Sequence, residues 1–242
     1  MTNDATAGSA APHLTAAGIG RLLTVVLMLA LTATIYFLAA GTLAVPRAWI
    51  YYGGLLAYLV VAMALIFVRF PEVAETINER GRRHKGVKTW DKLIALGYTA
   101  LTFISPAVAG LDVGRWRAYE VPAWLVTPAL IVTILAYAFV HWAMVVNKHA
   151  ETGVRIQTDR DHHVVASGPY RIVRHPFYIS LIVVQLVYPL AVGSYVAYAP
   201  GLMMAALFVW RTAREDATLR RELAGYEAFT GRTRSRLVPG VW

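Results

Sequence analysis

The chain has 242 residues, of which 57% are hydrophobic and only 15% charged, with a mean hydropathy of +0.51. A soluble domain carries roughly a quarter charged residues, so the composition excludes an ordinary water-soluble fold and points to lipid as the solvent. The formal charge is +9 and there is no cysteine, which excludes disulfides, thiolate nucleophiles and cysteine-ligated zinc.

The basic excess does not sit on a soluble domain, as a nucleic-acid surface would require. It is read instead as Lys and Arg facing anionic headgroups, and no nucleic-acid partner is expected.

Residues 1–16 are small and polar and are predicted to be a disordered tail. Residues 17–242 are read as a single all-α, polytopic membrane domain. Crossing the hydrocarbon core takes about 20 apolar residues, and runs at 22–43, 48–68, 93–111 and 121–146 meet that length or come close. The first run is too long for the apolar region of a signal peptide, so it is read as a retained anchor. Two shorter runs, 177–192 and 195–210, flank Gly193-Ser194 and predict a short helical hairpin.

Six crossings with an inside N-terminus put twenty Lys and Arg on inner segments. Arg47, Arg115 and Arg117 fall outside. Both termini are therefore expected to be cytoplasmic, most simply in a bacterial inner membrane. No Asp, Glu, Lys or Arg falls inside these runs and His141 is the one ionisable imidazole at depth. That pattern argues against an ion-coupled transporter.

Two polar segments remain for chemistry, 147–175 and the tail from Arg211. The hairpin returns the chain to the side it left, so the two segments must lie side by side. Gly168-Pro169 makes a turn that allows close approach to a ligand. Pro176 suits the first turn of a helix, whose free N–H groups favour a carboxylate. Tyr170, Phe177 and Tyr178 can wall an adenine or lipid pocket, and Glu215 and Asp216 supply negative charge. The set suits a zwitterion with a flat ring.

Position alone leaves other readings open. Arg171, Arg174 and His175 can be headgroup anchors, and Tyr170 and Tyr178 interfacial aromatics. Glu215-Asp216 can form i,i+4 pairs, for example with Arg220, and Arg211 with Glu215. His162-His163 lacks a third ligand at suitable spacing, so no metal is expected.

The string Gly168-Pro169-Tyr170-Arg171-x-x-Arg174-His175-Pro176-x-Tyr178, then an apolar hairpin and Arg211-x-x-x-Glu215-Asp216-x-x-Leu219, resembles the membrane methyltransferases. That superfamily includes isoprenylcysteine carboxyl methyltransferase and the phospholipid N-methyltransferases, and the likeness is greatest to its prokaryotic isoprenylcysteine methyltransferase-like members. Val154-Arg155-Ile156-Gln157, Trp142-Ala143-Met144 with Asn147, and Leu237-Val238-Pro239-Gly240 also look like that branch. The family-like core spans 140–242, with a weaker likeness at Pro71-Glu72, Glu79-Arg80 and Trp90-Asp91-Lys92. Asp216 stands where many relatives have Glu.

The resemblance implies S-adenosylmethionine as methyl donor, S-adenosylhomocysteine as product, and no metal. It implies cofactor contacts at Gln157, His162, His163, Val164, Val165, Gly168, Tyr170, His175, Pro176, Phe177, Tyr178 and Glu215. Arg211 and Asn147 are implied in acceptor binding, and Arg211, Glu215 and Arg174 are the catalytic candidates.

The expected acceptor is a lipophilic small molecule or lipid-modified group reached from the bilayer, most simply a carboxylate. A phospholipid amine or a small thiol is the alternative within the class. A non-enzymatic scaffold or transporter subunit is the alternative outside it. The sequence leaves the oligomeric state open.

Overall fold

The computed structural model describes residues 13–79 and 86–242. Residues 1–12 of the expected tail lie outside the described residues, as do Arg80, Arg82, Arg83 and Lys85 of the inside-charge count. Among the described residues the regular structure is helical, without strands. The chain is a polytopic all-α membrane protein.

Helices α1 (Ala16–Ala40), α2 (Pro46–Arg69), α4 (Thr89–Leu111) and α5 (Val126–Val146) provide four spans long and apolar enough to cross a bilayer. A short α3 (Val73–Glu79) links α2 toward α4. Large aliphatic residues on the outer faces, among them Leu27, Leu38, Val61, Leu65, Leu96 and Leu135, are exposed. This is the arrangement expected where lipid rather than water surrounds the bundle.

Helix α1 begins at Ala16, with Thr15 as its N-cap. Asn78 accepts from both the backbone N–H and the hydroxyl of Thr15 at 2.9 Å, tying α3 to this start. Helices α1 and α4 approach closely at Gly110, where a Cβ would stand 2.2 Å from the Tyr36 carbonyl. Small residues at such contacts let backbones meet in a membrane.

Helix α6 (Pro176–Val192) is short, about 25 Å at 1.5 Å per residue. Helix α7 (Tyr198–Glu222) packs against it as the expected hairpin. The turn is Gly193 to Ala197, longer than the two residues that the sequence suggests. Gly193 ends α6 in the left-handed region at φ 94°.

Arg47 caps that end. Its guanidinium donates to the carbonyls of Leu190 (2.7 Å), Ala191 (3.2 Å) and Val121 (2.7 Å), satisfying carbonyls that a helix C-terminus leaves open. Ser194 donates to buried Asp112 at 2.6 Å. At the other end of the hairpin, α7 does not stop where its apolar run does. It continues a dozen residues past Trp210, carrying Arg211, Glu215 and Asp216 on one continuous helix. A short α8 (Tyr226–Arg232) and the C-terminal segment fold back over it.

Candidate active site

The start of α6 is held by the C-terminal segment. The N–H groups of Arg174 and His175 donate to the carbonyls of Ser235 and Arg236, each at 3.0 Å. Asp216, fully buried on α7, gathers the surrounding cations. Arg174 reaches it at 2.7 and 3.2 Å, Arg236 at 2.9 Å and Arg220 at 3.2 Å. The Tyr226 hydroxyl donates to it at 3.1 Å, and His175 Nε2 stands 3.3 Å from both Asp216 and the Tyr226 hydroxyl. Burial alone would raise the pKa of Asp216. Bonds from His175, Arg174 and Arg236 outweigh it and hold the carboxyl well below the usual carboxylate range. Burial, followed by the Asp216 charge, pushes the Tyr226 phenol up.

One turn toward the bilayer, Arg211 is 5% exposed and faces Asp91, itself 1% exposed, in the first turn of α4. The guanidinium meets the carboxylate at 2.7 and 3.1 Å and donates to the Thr152 carbonyl at 2.6 Å. Tyr98 and Tyr178 present ring faces to it at 5.6 and 5.4 Å, a cation–π arrangement. Asp91 also accepts from the Val154 N–H at 2.7 Å, so one buried carboxylate positions both the arginine and the loop after α5. Glu215 accepts from the Tyr178 hydroxyl.

That loop is braced within itself. Asn147, at the end of α5, donates to the Tyr170 hydroxyl at 2.8 Å and accepts from the His149 N–H at 2.9 Å. Arg155, buried, pairs with Glu151 and Asp159. Gln157 donates to the His149 carbonyl. The rings of His149, His162 and His163 cluster within 5 Å of one another through His149. Among the described residues no group of three or more His, Asp and Glu is placed to hold a metal ion.

These elements enclose a cavity of about 560 Å³. Its outer wall is polar and aromatic, with Gln157, His162, His163, Tyr170, His175, Tyr226 and Glu215. Its inner wall lies between α4, α5, α6 and α7 and is formed by Tyr98, Tyr137, Leu181, Met204 and Phe208. Arg211 stands between the two.

Residues 129–221 match the isoprenylcysteine carboxyl methyltransferase family. It is a methyltransferase family, and the match supports an enzyme. The matched region takes in most of α5, the braced loop, α6 and nearly all of α7. It stops short of Tyr226 and Arg236, which complete the cluster around Asp216. No curated protein matches the chain.

Within this matched region the cavity collects the candidate residues Asn147, Gln157, His162, His163, Val164, Val165, Tyr170, Arg174, His175, Pro176, Phe177, Tyr178, Arg211 and Glu215. Gly168 lies apart. It turns at φ 56° against Trp142 and Val146 of α5, so it seats the loop on that helix and does not line the cavity. Arg174 lines the wall, but its guanidinium is committed to Asp216 and to the carbonyls of Thr233 and Arg234. Asn147 is likewise occupied by Tyr170 and His149.

Arg211 and Glu215, which their spacing allows to pair, turn to Asp91 and Tyr178 respectively. Sequence reasoning passed over Asp91, His149, Tyr226 and Phe229 as site residues. The only signal for Asp91 was the Trp90-Asp91-Lys92 likeness, and aromatic spacing in α8 carried none for Tyr226.

Proposed function

We propose that the chain is an integral membrane S-adenosylmethionine-dependent methyltransferase acting on a lipophilic carboxylate. The observation that carries this reading is one cavity with a carboxylate, Glu215, at its polar end and a buried arginine, Arg211, one helical turn deeper. Past Arg211 the same cavity runs on into an apolar interior.

The polar end suits the cofactor. Val164 and Val165 line it, and among the described residues their backbone groups make no backbone–backbone hydrogen bond. They are available to the edge of an adenine, with Tyr170, Phe177, Tyr226 and Phe229 as flat apolar walls. Glu215 is half-buried and matches an ammonium. When bound, S-adenosylmethionine supplies a methyl group on a sulfonium, which passes to the acceptor oxygen and leaves S-adenosylhomocysteine.

The chain's own residues supply position and dryness. Asp91 and the Thr152 carbonyl hold the Nε and Nη2 of Arg211 and stop the guanidinium from swinging, and its Nη1 side faces the acceptor carboxylate. The Tyr98 and Tyr178 rings exclude water around it, so the carboxylate loses hydration where it must react. A carboxylate is ionised at neutral pH and needs no general base, so holding two groups in line supplies most of the acceleration. Arg174, with Asp216, is a positioning residue that fixes the start of α6 and thereby His175 and Tyr178.

Titration calorimetry with S-adenosylhomocysteine on detergent-solubilised protein tests the reading. Binding is expected, and Glu215→Gln should weaken it about 10- to 150-fold, the loss of a hydrogen bond to a charged group. Arg211→Ala should leave that binding intact and abolish methyl transfer to long-chain carboxylates. A folded protein with no affinity for S-adenosylhomocysteine overturns the proposal.

A further inference from the structure

The deep end of the main cavity is not simply apolar. Thr102, Tyr137, Gln185 and Met204 line both it and a second cavity of about 120 Å³, so the two meet at these residues. The second chamber lies farther from the site end, walled by Tyr51, Tyr52, Tyr188, Ser105 and Pro106. Measured along α4 at 1.5 Å per residue, Thr102 lies about 16 Å and Ser105 about 21 Å beyond Asp91. Gln185 lies nine residues into α6, about 14 Å beyond Pro176. A tail extending inward from a carboxylate on Arg211 reaches this junction.

Two features there are polar in a way α4 does not use, and a third polar residue, Gln185, stands beside them. Ser105 is 3% exposed, and its hydroxyl has no hydrogen-bond partner, although a helical serine ordinarily returns its proton to a carbonyl one turn back. Pro106, inside α4, has no N–H to give to the carbonyl of Thr102. Gln185 lines both cavities. The phenols around them differ, since Tyr52 and Tyr188 satisfy each other at 2.9 Å. An unmet buried hydroxyl is costly in a bundle surrounded by lipid. A chamber built only to receive hydrocarbon would have no use for it.

We infer that the second cavity, from its junction with the main one inward, is a second recognition subsite, and that the acceptor's tail carries a hydrogen-bonding group such as a hydroxyl or carbonyl about 14–21 Å from its carboxylate. Ser105 and Gln185 hold that group. The acceptor is then an oxygenated lipid acid, not the plain hydrocarbon tail that the family's name suggests. This rests on the reading of the main cavity as the acceptor site.

The test is direct binding to detergent-solubilised protein of saturated long-chain carboxylates in matched pairs, with and without a terminal hydroxyl, over a series of chain lengths. At one length the hydroxyl-bearing chain should bind about 5- to 10-fold tighter, the yield of a satisfied buried hydrogen bond. In Ser105→Ala and in Gln185→Leu the preference should vanish or reverse toward hydrocarbon, because the hydroxyl would then be desolvated for nothing. S-adenosylhomocysteine affinity should stay at the wild-type value in both. Plain chains binding as well as hydroxylated ones at every length, or a preference that survives both variants, overturns the inference. S-adenosylhomocysteine affinity and methyl transfer to the plain chains, measured on the same samples, judge the methyltransferase reading separately.

Discussion

Asp91→Asn offers the sharpest test of how the site is built. The substitution removes one negative charge and almost no volume, and it keeps an oxygen to accept from the Val154 N–H. What is lost is the counter-charge of Arg211, now left with the Thr152 carbonyl as its one strong acceptor. Both side chains are within 6% of full burial, so bulk water screens neither. Stranding one member of such a pair costs about 3–5 kcal/mol. Because asparagine still offers a polar atom, the lower end applies. About 3 kcal/mol is roughly a 150-fold shift in the folded-to-unfolded ratio.

The guanidinium stays charged but is no longer aimed. Acceptor kcat/KM should therefore fall by about 100-fold, the usual penalty for a misplaced reactant. S-adenosylhomocysteine affinity should change by less than about two-fold, since no charge-assisted bond to the cofactor is touched. Unfolding in mixed micelles and steady-state kinetics over acceptor concentration measure both. An Asp91→Asn protein with wild-type stability and acceptor kinetics would refute the idea that Asp91 holds Arg211 in place.

Asp216 should make stability fall in acid. Its folded pKa is depressed, so its contribution is complete above the unfolded carboxyl value near pH 4 and is lost progressively as pH drops below it. Melting temperature in detergent should decline from about pH 4 downward in the wild type, whereas Asp216→Asn should be less stable at pH 7 with a flatter acid limb. An unchanged limb would remove Asp216 from that role. Gly193→Ala should destabilise by about 1–3 kcal/mol, because the backbone there is left-handed and a Cβ would stand 2.8 Å from Arg47 Cδ. Wild-type melting of that variant would show that neither the left-handed backbone nor the closeness of Arg47 constrains position 193. Reporter fusions at Pro46, Gly114 and Gly193 should read outside and those at Gly86 and Gly240 inside, and an inside signal at Gly114 would overturn the six-crossing topology.

The spans were legible because a bilayer core leaves the backbone no partner but itself, so any apolar run of sufficient length must be helical. The adjacency of the two polar segments was legible for a related reason. A hairpin of two helices with a short turn has only one way to return, and Tyr178 does meet Glu215 across it. Helix ends were read less well where lipid stops deciding them. Helix α7 runs from Tyr198 to Glu222 because Asp216 and Arg211 find partners on other elements, not because its last turns are apolar.

What the sequence by itself determined is the class of solvent, the positions of the long apolar helices and much of the local string that lines a cavity. All of these follow from the composition of contiguous residues. Only the tertiary structure decided which charges meet. Arg211 had a carboxylate four residues away and took one 120 positions earlier, because helical spacing allows the near pair but burial demands a partner on the facing helix. The Arg174 guanidinium meets Asp216 from α7, and Gly168 sits against Trp142 and Val146 of α5. Ser105, Tyr137 and Gln185, part of the polar lining of the second cavity, come from three different helices. Polar residues that are isolated within apolar runs reveal nothing until packing brings them to one wall.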